Sequence, residues 1–188
     1  MPPTEPSVRG VHFIALRRAI TDLFGEAGLE VAGRHLPEDV RQDTLEVLSI
    51  TSSWFPERYA VAWFDALLKG PAAGDHALYF RAVDRMLDHG FGVVRRALLN
   101  LVSIEGLLQR VSGVWRSDHT TGELSLVSLE PASALLALRD HPYLESPHAQ
   151  ATVAETVRYC ASLVRVREVE MRHEMKDGAL EMRLRWTR

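Results

Sequence analysis

Histidines are the residues of this sequence best suited to metal binding or proton transfer. There are eight of them, and none lies four residues from another, the spacing that places two imidazoles on one helical face. The nearest pair, His141 and His148, leaves open a cation site formed with Asp140 and Glu145. The pattern favours surface or capping roles and predicts no metal site. The eight are His12, His35, His76, His89, His119, His141, His148 and His173.

Nucleophilic side chains lack the sequence context that catalysis requires. No Gly-x-Ser-x-Gly motif surrounds Ser125, Ser128 or Ser133, and the chain has neither a Gly-x-x-x-x-Gly-Lys nor a Gly-x-Gly-x-x-Gly phosphate loop. Cys160 is predicted to be a small buried apolar side chain. The alternative, a reactive or acylated thiol, has only Arg158 as a nearby cation. We therefore assign no catalytic residue and predict that the protein is not an enzyme.

Composition removes several further classes of function. Lys and Arg total 22 against 25 Asp and Glu, a net charge of −3, which argues against nucleic-acid binding. One Cys excludes an internal disulfide framework and an all-Cys zinc site. No apolar run reaches the roughly 18 residues of a membrane span. The first residues lack the pattern of a signal peptide, so we predict a cytoplasmic protein.

Aromatic side chains are densest between residues 54 and 64. Tyr59 and Trp63 follow Phe55 at spacings of four, whereas Trp54 and Phe64 lie off that line. Core packing is one interpretation, and a partner-binding ridge or the wall of an apolar pocket is the other. On the second interpretation, four residues are candidates for ligand or partner binding: Trp54, Tyr59, Trp63 and Trp115.

Helical periodicity extends from about residue 11 to 117. Apolar residues recur every three or four positions, and Pro37 and Pro56 are each followed by acidic residues that suit a first helical turn. Gly25 and Gly28 are expected to break the first helix, and Asp75 to cap a later one. This part is predicted to contain about five or six helices.

The period changes after residue 120. Residues 123–129 are typical of a strand, and residues 133–139 form either the returning strand or a short helix. A helix follows over 148–163, and alternation over 169–186 around an Asp177-Gly178 turn predicts a hairpin with a bulge near Arg167 and Glu168. The order is strand, strand, helix, strand, strand.

We therefore predict an α+β protein, with an N-terminal helical lobe followed by a small four-stranded antiparallel sheet lobe of ββαββ order. Residues 1–8 are expected to be a flexible tail and residues 9–188 one domain. Within it, the helical lobe covers 9–118 and the α/β lobe 119–188.

Basic residues of the last hairpin fall on its outer face. Arg165, Arg167, Arg183 and Arg185 are interleaved with glutamates. This pattern is typical of a mixed, solvated surface, with an anion-recognition patch as the alternative.

The sequence resembles a known family in two segments and in the helical region between them. Arg9-Gly10-Val11-His12-Phe13, the helical middle and the final hairpin over 164–186 resemble an uncharacterised paralogous family of myxobacteria. That layout is in turn similar to the superfamily of heme-nitric-oxide-binding sensors, four-vinyl-reductase-type ligand domains and TRAPP-like subunits. The resemblance implies ligand sensing or protein interaction more than catalysis.

The cofactor residues that the resemblance implies are largely missing. Heme sensors of this layout ligate iron through a His on the last helix before the sheet, where our register places Leu108. Their Tyr-x-Ser-x-Arg motif does not occur in this chain. The four-vinyl-reductase type uses cysteines around the last hairpin, where residues 173–182 contain none and offer only His173. Because these residues are missing, we predict that the protein holds no cofactor and no metal.

Together these observations predict a non-catalytic, sensor-like or adaptor domain that binds an apolar small molecule or a protein partner. The aromatic surface suggests a homodimer. The alternative is a heme- or metal-dependent sensor or enzyme.

Overall fold

The structure, a computed structural model, describes residues 3–46, 52–99 and 102–187, with 92–99 described as backbone. The chain divides into two compact units, Met1–Gly90 and Phe91–Arg188. The sequence prediction placed the division between the lobes at 118/119, where the periodicity changes.

The first unit is mostly helical. Its elements in chain order are strand β1 (Ser7–Arg9), α1 (Val11–His35), α2 (Glu38–Arg41), a π-helical turn (Gln42–Glu46), β2 (Trp54–Pro56), α3 (Glu57–Lys69) and the start of α4 (His76–Leu99). Asp75 caps α4 as predicted, because its Oδ1 accepts hydrogen bonds from the amides of Ala77 and Leu78 at 2.7 and 3.2 Å.

A two-stranded antiparallel sheet begins the first unit. Val8 pairs with Phe55 and is fully buried. Ser7 and Val8, which the sequence analysis placed in a flexible tail, belong to β1. Phe55, expected on the same helical face as Tyr59, instead lies in β2. The helix begins one residue after Pro56, because proline fixes the backbone where helical hydrogen bonding starts.

Helix α1 bends at Gly25 and continues beyond it. Gly25 has φ +70°, a left-handed conformation that favours glycine. Gly28 is helical and buried, and a Cβ there would lie 2.3 Å from the Cβ of Phe24. Gly25 therefore interrupts the helix as predicted. Gly28 instead allows close packing, and the helix is not broken there.

The core of the first unit follows the apolar positions of the sequence. Phe13, Leu16 and Ile20 of α1 are almost fully buried, as are Trp63 and Leu67 of α3. Because these positions recur at helical spacing, each helix presents one apolar stripe to its neighbours.

No helix within the described ranges is long and apolar enough to cross a bilayer. Helix α4, one of the longer ones, carries Arg81, Asp84 and Arg85 within three turns.

The second unit contains the sheet. After the end of α4 come α5 (Ile104–Leu108), α6 (Val111–Asp118), β3 (Glu123–Glu130), β4 (Ser133–Arg139), a 3₁₀ helix (Pro142–Glu145), α7 (Pro147–Ser162), β5 (Arg167–Lys176) and β6 (Ala179–Thr187). Residues 133–139, left open between strand and helix, form the strand β4.

The four strands form one antiparallel sheet in the order β3-β4-β6-β5. The α+β class and the ββαββ order are therefore confirmed. The hairpin turns through Asp177 and Gly178, with φ of +48° and +74°. The pairing register of β5 shifts between Arg167 and Glu170, the bulge expected from the parity of the valines.

Strand β6 supplies much of the buried face of the sheet. Leu180, Met182, Leu184 and Trp186 are at most 3% exposed. The intervening residues at 181, 183 and 185 point to the opposite face, because successive side chains alternate along a strand.

Candidate functional site

Three of the four predicted binding residues lie in the first unit, where two of them belong to the core. Tyr59 is 4% exposed and its hydroxyl donates to Asp43 Oδ2 at 2.9 Å. Trp63 is fully buried. Trp54 is half-buried in β2, with the guanidinium of Arg9 3.8 Å from its ring centroid. Tyr59 and Trp63 are therefore buried side chains, and the binding role of these residues stays a prediction.

The indole of Trp63 is held by a buried hydrogen-bond chain. Its Nε1 donates to Thr44 Oγ1 at 2.7 Å, and that hydroxyl donates to the carbonyl of Val40 at 2.6 Å. A buried polar group without a partner would cost about 1–3 kcal/mol, so this chain offsets the cost of burying the indole nitrogen.

Trp115, the fourth predicted residue, lies in the second unit and stacks on a histidine. It sits in α6, and His119 follows one residue after that helix ends. The two ring centroids are 3.9 Å apart with an angle of 13° between the planes. The spacing of four residues places both rings on one helical face. Trp115 Nε1 donates to the carbonyl of Thr121 at 3.0 Å, which fixes the indole.

His141 lies edge-on to both of these rings. It follows β4 and caps the 3₁₀ helix, where its Nδ1 accepts a hydrogen bond from the amide of Tyr143 at 3.2 Å. Its ring centroid is 4.9 Å from that of Trp115, 5.3 Å from that of His119 and 4.4 Å from that of Tyr143. We call Trp115, His119, His141 and Tyr143 the imidazole–aromatic cluster.

Two residues with a left-handed backbone conformation allow His141 to reach its place in the cluster. Asp140 has φ +52° and turns the chain out of β4 just before His141. Gly122 has φ +79°, and a Cβ on it would lie 2.7 Å from Cδ2 of His141. Only glycine therefore allows this approach without displacing the imidazole.

The imidazole–aromatic cluster combines burial with nitrogen donors. All four side chains are at most 8% exposed. His119 and His141 each present a ring nitrogen within 4.8 Å of the other. Such a pair can bind a transition-metal ion or exchange a proton.

The hydrogen bond from Tyr143 fixes the tautomer of a neutral His141. Its Nδ1 accepts, so the ring proton is on Nε2. A metal ion that binds Nε2 would have to displace that proton. Either the proton would move to Nδ1, which could then no longer accept the hydrogen bond, or it would leave the ring altogether.

Sequence spacing did not reveal this pair. His119 and His141 are separated by the β3–β4 hairpin, and the pairing of Glu123 with Arg139 brings its two ends together. The sequence-based candidate was His141 with His148. Among the described residues the structure instead brings His141 to His119, and His148 lies in the first turn of α7. The one available signal was that each histidine flanks a predicted strand of the same hairpin.

Cys160 is unsuited to nucleophilic chemistry. Burial raises the pKa of its thiol to about 12. The thiolate is the reactive form, so the side chain is inert near neutral pH. This agrees with the prediction of an unreactive apolar residue, although the side chain is half-buried and was expected to be buried.

An exposed charge cluster links two helices of the first unit. Asp22 Oδ2 accepts from Arg85 Nε at 2.8 Å and lies 2.9 Å from His89 Nε2. These partners, His89 foremost, lower the pKa of the Asp22 carboxyl. The contacts tie α1 to α4 and resemble a structural ion-pair network.

The outer face of the sheet carries a groove of about 490 Å³. Arg172, Arg183 and Arg185 line it together with Glu170, Glu174 and Glu181. Equal numbers of the two charges favour the mixed surface over the anion-recognition patch. Arg165 precedes β5, and Arg167 lies at its bulge.

Comparisons with known proteins give a fold. No family model matches the sequence, and no curated protein matches it. An unliganded Fe(II) H-NOX protein from K. algicida matches with a TM-score of 0.68 and 12% identity, over 96% of this chain and 97% of that chain. An oxygen-binding H-NOX domain related to soluble guanylate cyclases matches with 0.64 and 10%, over 96% and 95%. An H-NOX protein from S. oneidensis in the Fe(II)NO ligation state matches with 0.66 and 10%, over 96% and 99%.

The chain therefore has the fold of H-NOX proteins. This agrees with the superfamily resemblance seen in the sequence, whereas the myxobacterial family has no such support. At this identity the likeness concerns the fold alone.

The position that the sequence register assigns to the heme ligand does not fit that role. Leu108 is buried in α5, and its side chain has no lone pair to give to iron. Residues 90–118 contain no His, Cys, Met or Tyr, the side chains that ligate heme iron. The first such residue is His119, and Trp115 covers one of its faces at 3.9 Å.

Proposed function

We propose that this chain is a non-catalytic, small-molecule sensor domain and that its sensing depends on a metal ion held by the imidazole–aromatic cluster. The observation that carries the proposal is the pair of buried imidazoles, with ring nitrogens within 4.8 Å, in a chain with the H-NOX fold. The neighbouring structures include oxygen and nitric oxide complexes. They support the heme- or metal-dependent alternative better than an apolar-ligand or adaptor domain.

The ligand set favours a metal ion over heme. Two imidazoles suit Zn²⁺, Cu²⁺, Ni²⁺ or Fe²⁺. The rings of Trp115 and Tyr143 pack against both histidines, with centroids 3.9 to 5.8 Å apart, and a bulky porphyrin would have to displace more of this packing than a single ion. A metal ion held by two imidazoles keeps coordination positions for a small ligand, which is what a sensor requires.

Metal binding would also affect the turn after β4. His141 Nδ1 accepts from the Tyr143 amide, and ligation at Nε2 favours a protonated Nδ1, which cannot accept. Binding is therefore coupled to rearrangement of the 3₁₀ helix Pro142–Glu145. This coupling gives a sensor a way to convert ligand binding into a change of conformation.

The metal hypothesis is tested by titrating purified protein with Co²⁺ and following its visible d–d bands. The expected result is saturable binding, with affinity reduced at least about tenfold in His119→Ala and in His141→Ala, since losing even a hydrogen-bonding partner of a metal ligand typically costs that much. His35→Ala, which removes an exposed imidazole, is the matched control. Equal Co²⁺ binding by all four proteins would refute the assignment.

The heme hypothesis has its own experiment. Reconstitution with hemin and reduction should give no Soret band typical of a histidine-ligated heme. Such a band, abolished by His119→Ala or His141→Ala, would show that heme enters the cluster after all. Such a band unaffected by either variant would place the ligand elsewhere in the chain.

Three further predictions from the sequence stay predictions: binding of an apolar molecule or protein partner, homodimer formation through the aromatic surface, and a cytoplasmic location. Native mass spectrometry of protein from its own host tests the first two, since it reports bound mass and oligomer mass together.

A further inference from the structure

Strand β5 forms an exposed edge of the four-stranded sheet. In the order β3-β4-β6-β5 it pairs with β6 on one side, and no strand of the described residues lies on the other. Residues 172–176 are all exposed, and Met175 is 44% exposed. Long exposed edges are templates for pairing with another strand.

The hairpin fixes which backbone groups of β5 point outward. Lys176 and Ala179 close a two-residue turn, so they form a hydrogen-bonded pair. Hydrogen-bonded pairs alternate along an antiparallel ladder, and the register from Glu170 to Lys176 is unbroken. The amides and carbonyls of Met171, His173 and Met175 therefore point away from β6.

The side chains of this stretch have an antisymmetric order. Residues 170–176 are Glu-Met-Arg-His-Glu-Met-Lys, centred on His173. When a second copy of this strand runs antiparallel with its His173 opposite this His173, every acidic residue faces a basic one. Glu170 then faces Lys176, and Arg172 faces Glu174. The methionines meet each other, and His173 meets its own copy.

We propose that β5 is a homodimerisation edge, which pairs antiparallel with β5 of a second copy in the register centred on His173. About six backbone hydrogen bonds form, at Met171, His173 and Met175 of each chain. The charged pairs fall at the non-hydrogen-bonded positions, where opposed side chains are closest. The two sheets become one continuous sheet.

The charges required for this pairing are available in the folded chain. In the described part of the structure no ion pair involves Glu170, Arg172 or Glu174, and Arg172 lies directly opposite Arg183 of β6. Lys176 lies 3.9 Å from Glu181 with its side chain 57% exposed, so it can reach a partner. A counter-charge from a second copy relieves the Arg172–Arg183 repulsion. This dimer does not depend on the proposed sensing function.

The expected dimer is weak, because one edge strand buries much less than a standard interface. Sedimentation equilibrium should show the mass rising with concentration from 21.1 kDa toward twice that value, with a Kd in the micromolar to millimolar range. A mass of 21.1 kDa at every concentration up to about 1 mM would overturn the proposal.

Two charge reversals provide the decisive test. Arg172→Glu and Glu174→Arg each turn two attractive pairs into repulsive ones, and each should weaken self-association at least about tenfold. Mixed together, the two variants form complementary pairs and should associate, and R172E/E174R should regain wild-type self-association. Only folded chains paired in this register give that rescue.

Arg81→Glu is the matched control, since it makes the same charge change at an exposed position of α4, outside the sheet. It should leave self-association within about twofold of wild type. Equal loss in R81E and R172E, or no rescue in the mixture, would show that net charge or another partner determines self-association and would reject the pairing.

Discussion

Gly122 lies against His141 so closely that a Cβ on the glycine would be 2.7 Å from Cδ2 of the imidazole. Gly122 also has φ +79°. Gly122→Ala therefore incurs both backbone strain and overlap with the ring, and we expect the free energy of unfolding to fall by about 2–4 kcal/mol. Urea denaturation followed by circular dichroism measures this change.

Gly178 separates the two effects. It has φ +74°, and nothing lies within 4 Å of a Cβ built on it. Gly178→Ala should cost only the backbone strain, about 1 kcal/mol. If the two variants lose equal stability, His141 does not restrict position 122.

Thr44 supports the indole of Trp63 through one hydroxyl. Thr44→Val keeps the shape of the side chain and leaves Trp63 Nε1 without its acceptor. We expect a loss of about 1–3 kcal/mol in the free energy of unfolding. Thr44→Ser keeps the hydroxyl and should lose clearly less, so a serine variant as unstable as the valine variant would contradict this role.

The carboxyl of Asp22 should make stability depend on pH. Its pKa is lowered by hydrogen bonding to His89 and then to Arg85. A folded-state pKa below the unfolded value of about 3.9 adds stability above that value, which is lost as the pH falls through the folded pKa.

Urea midpoints of wild type and Asp22→Asn test this dependence. The wild type should be more stable at pH 7, and the difference should shrink below about pH 3. A difference that is unchanged between these pH values would mean that Asp22 acts without its charge.

Cys160 should react slowly in the folded protein. With a pKa of about 12, only about one thiol in ten thousand is ionised at pH 8. Iodoacetamide labelling followed by mass spectrometry should be much faster in urea than in buffer. The chain has one Cys, so the label reports this site alone. Rapid labelling of the native protein would instead indicate a reactive thiol.

Helices and strands could be predicted correctly from the sequence wherever a single periodicity of apolar residues dominates. The alternation of Leu180, Met182 and Leu184 and the Asp177-Gly178 turn led to the correct hairpin because both signals are local. The bulge near Arg167 was predictable for the same reason, from a change of parity between neighbouring valines.

Strand β1 was not predicted, since a three-residue strand shows no period. Val8 is buried because Phe55, more than forty residues away, pairs with it. Phe55 was assigned to a helix because its spacing to Tyr59 and Trp63 fits one, whereas pairing with β1 places it in β2.

The candidate site depends on contacts that no spacing rule describes. Trp115 was selected for its aromatic character, but its stacking on His119 and the approach of His141 require the β3–β4 hairpin to close. Closure also depends on left-handed residues such as Asp140, which composition does not identify.

The order of charges on β5 bears on aggregation. Moving the antiparallel pairing by two residues would oppose Glu170 to Glu174, or Glu174 to its own copy, so neighbouring registers are repulsive. An isologous contact occupies the same edge in both chains, and therefore closes after two copies. A finite, symmetric assembly would thus cover an exposed sheet edge that could otherwise template fibril growth.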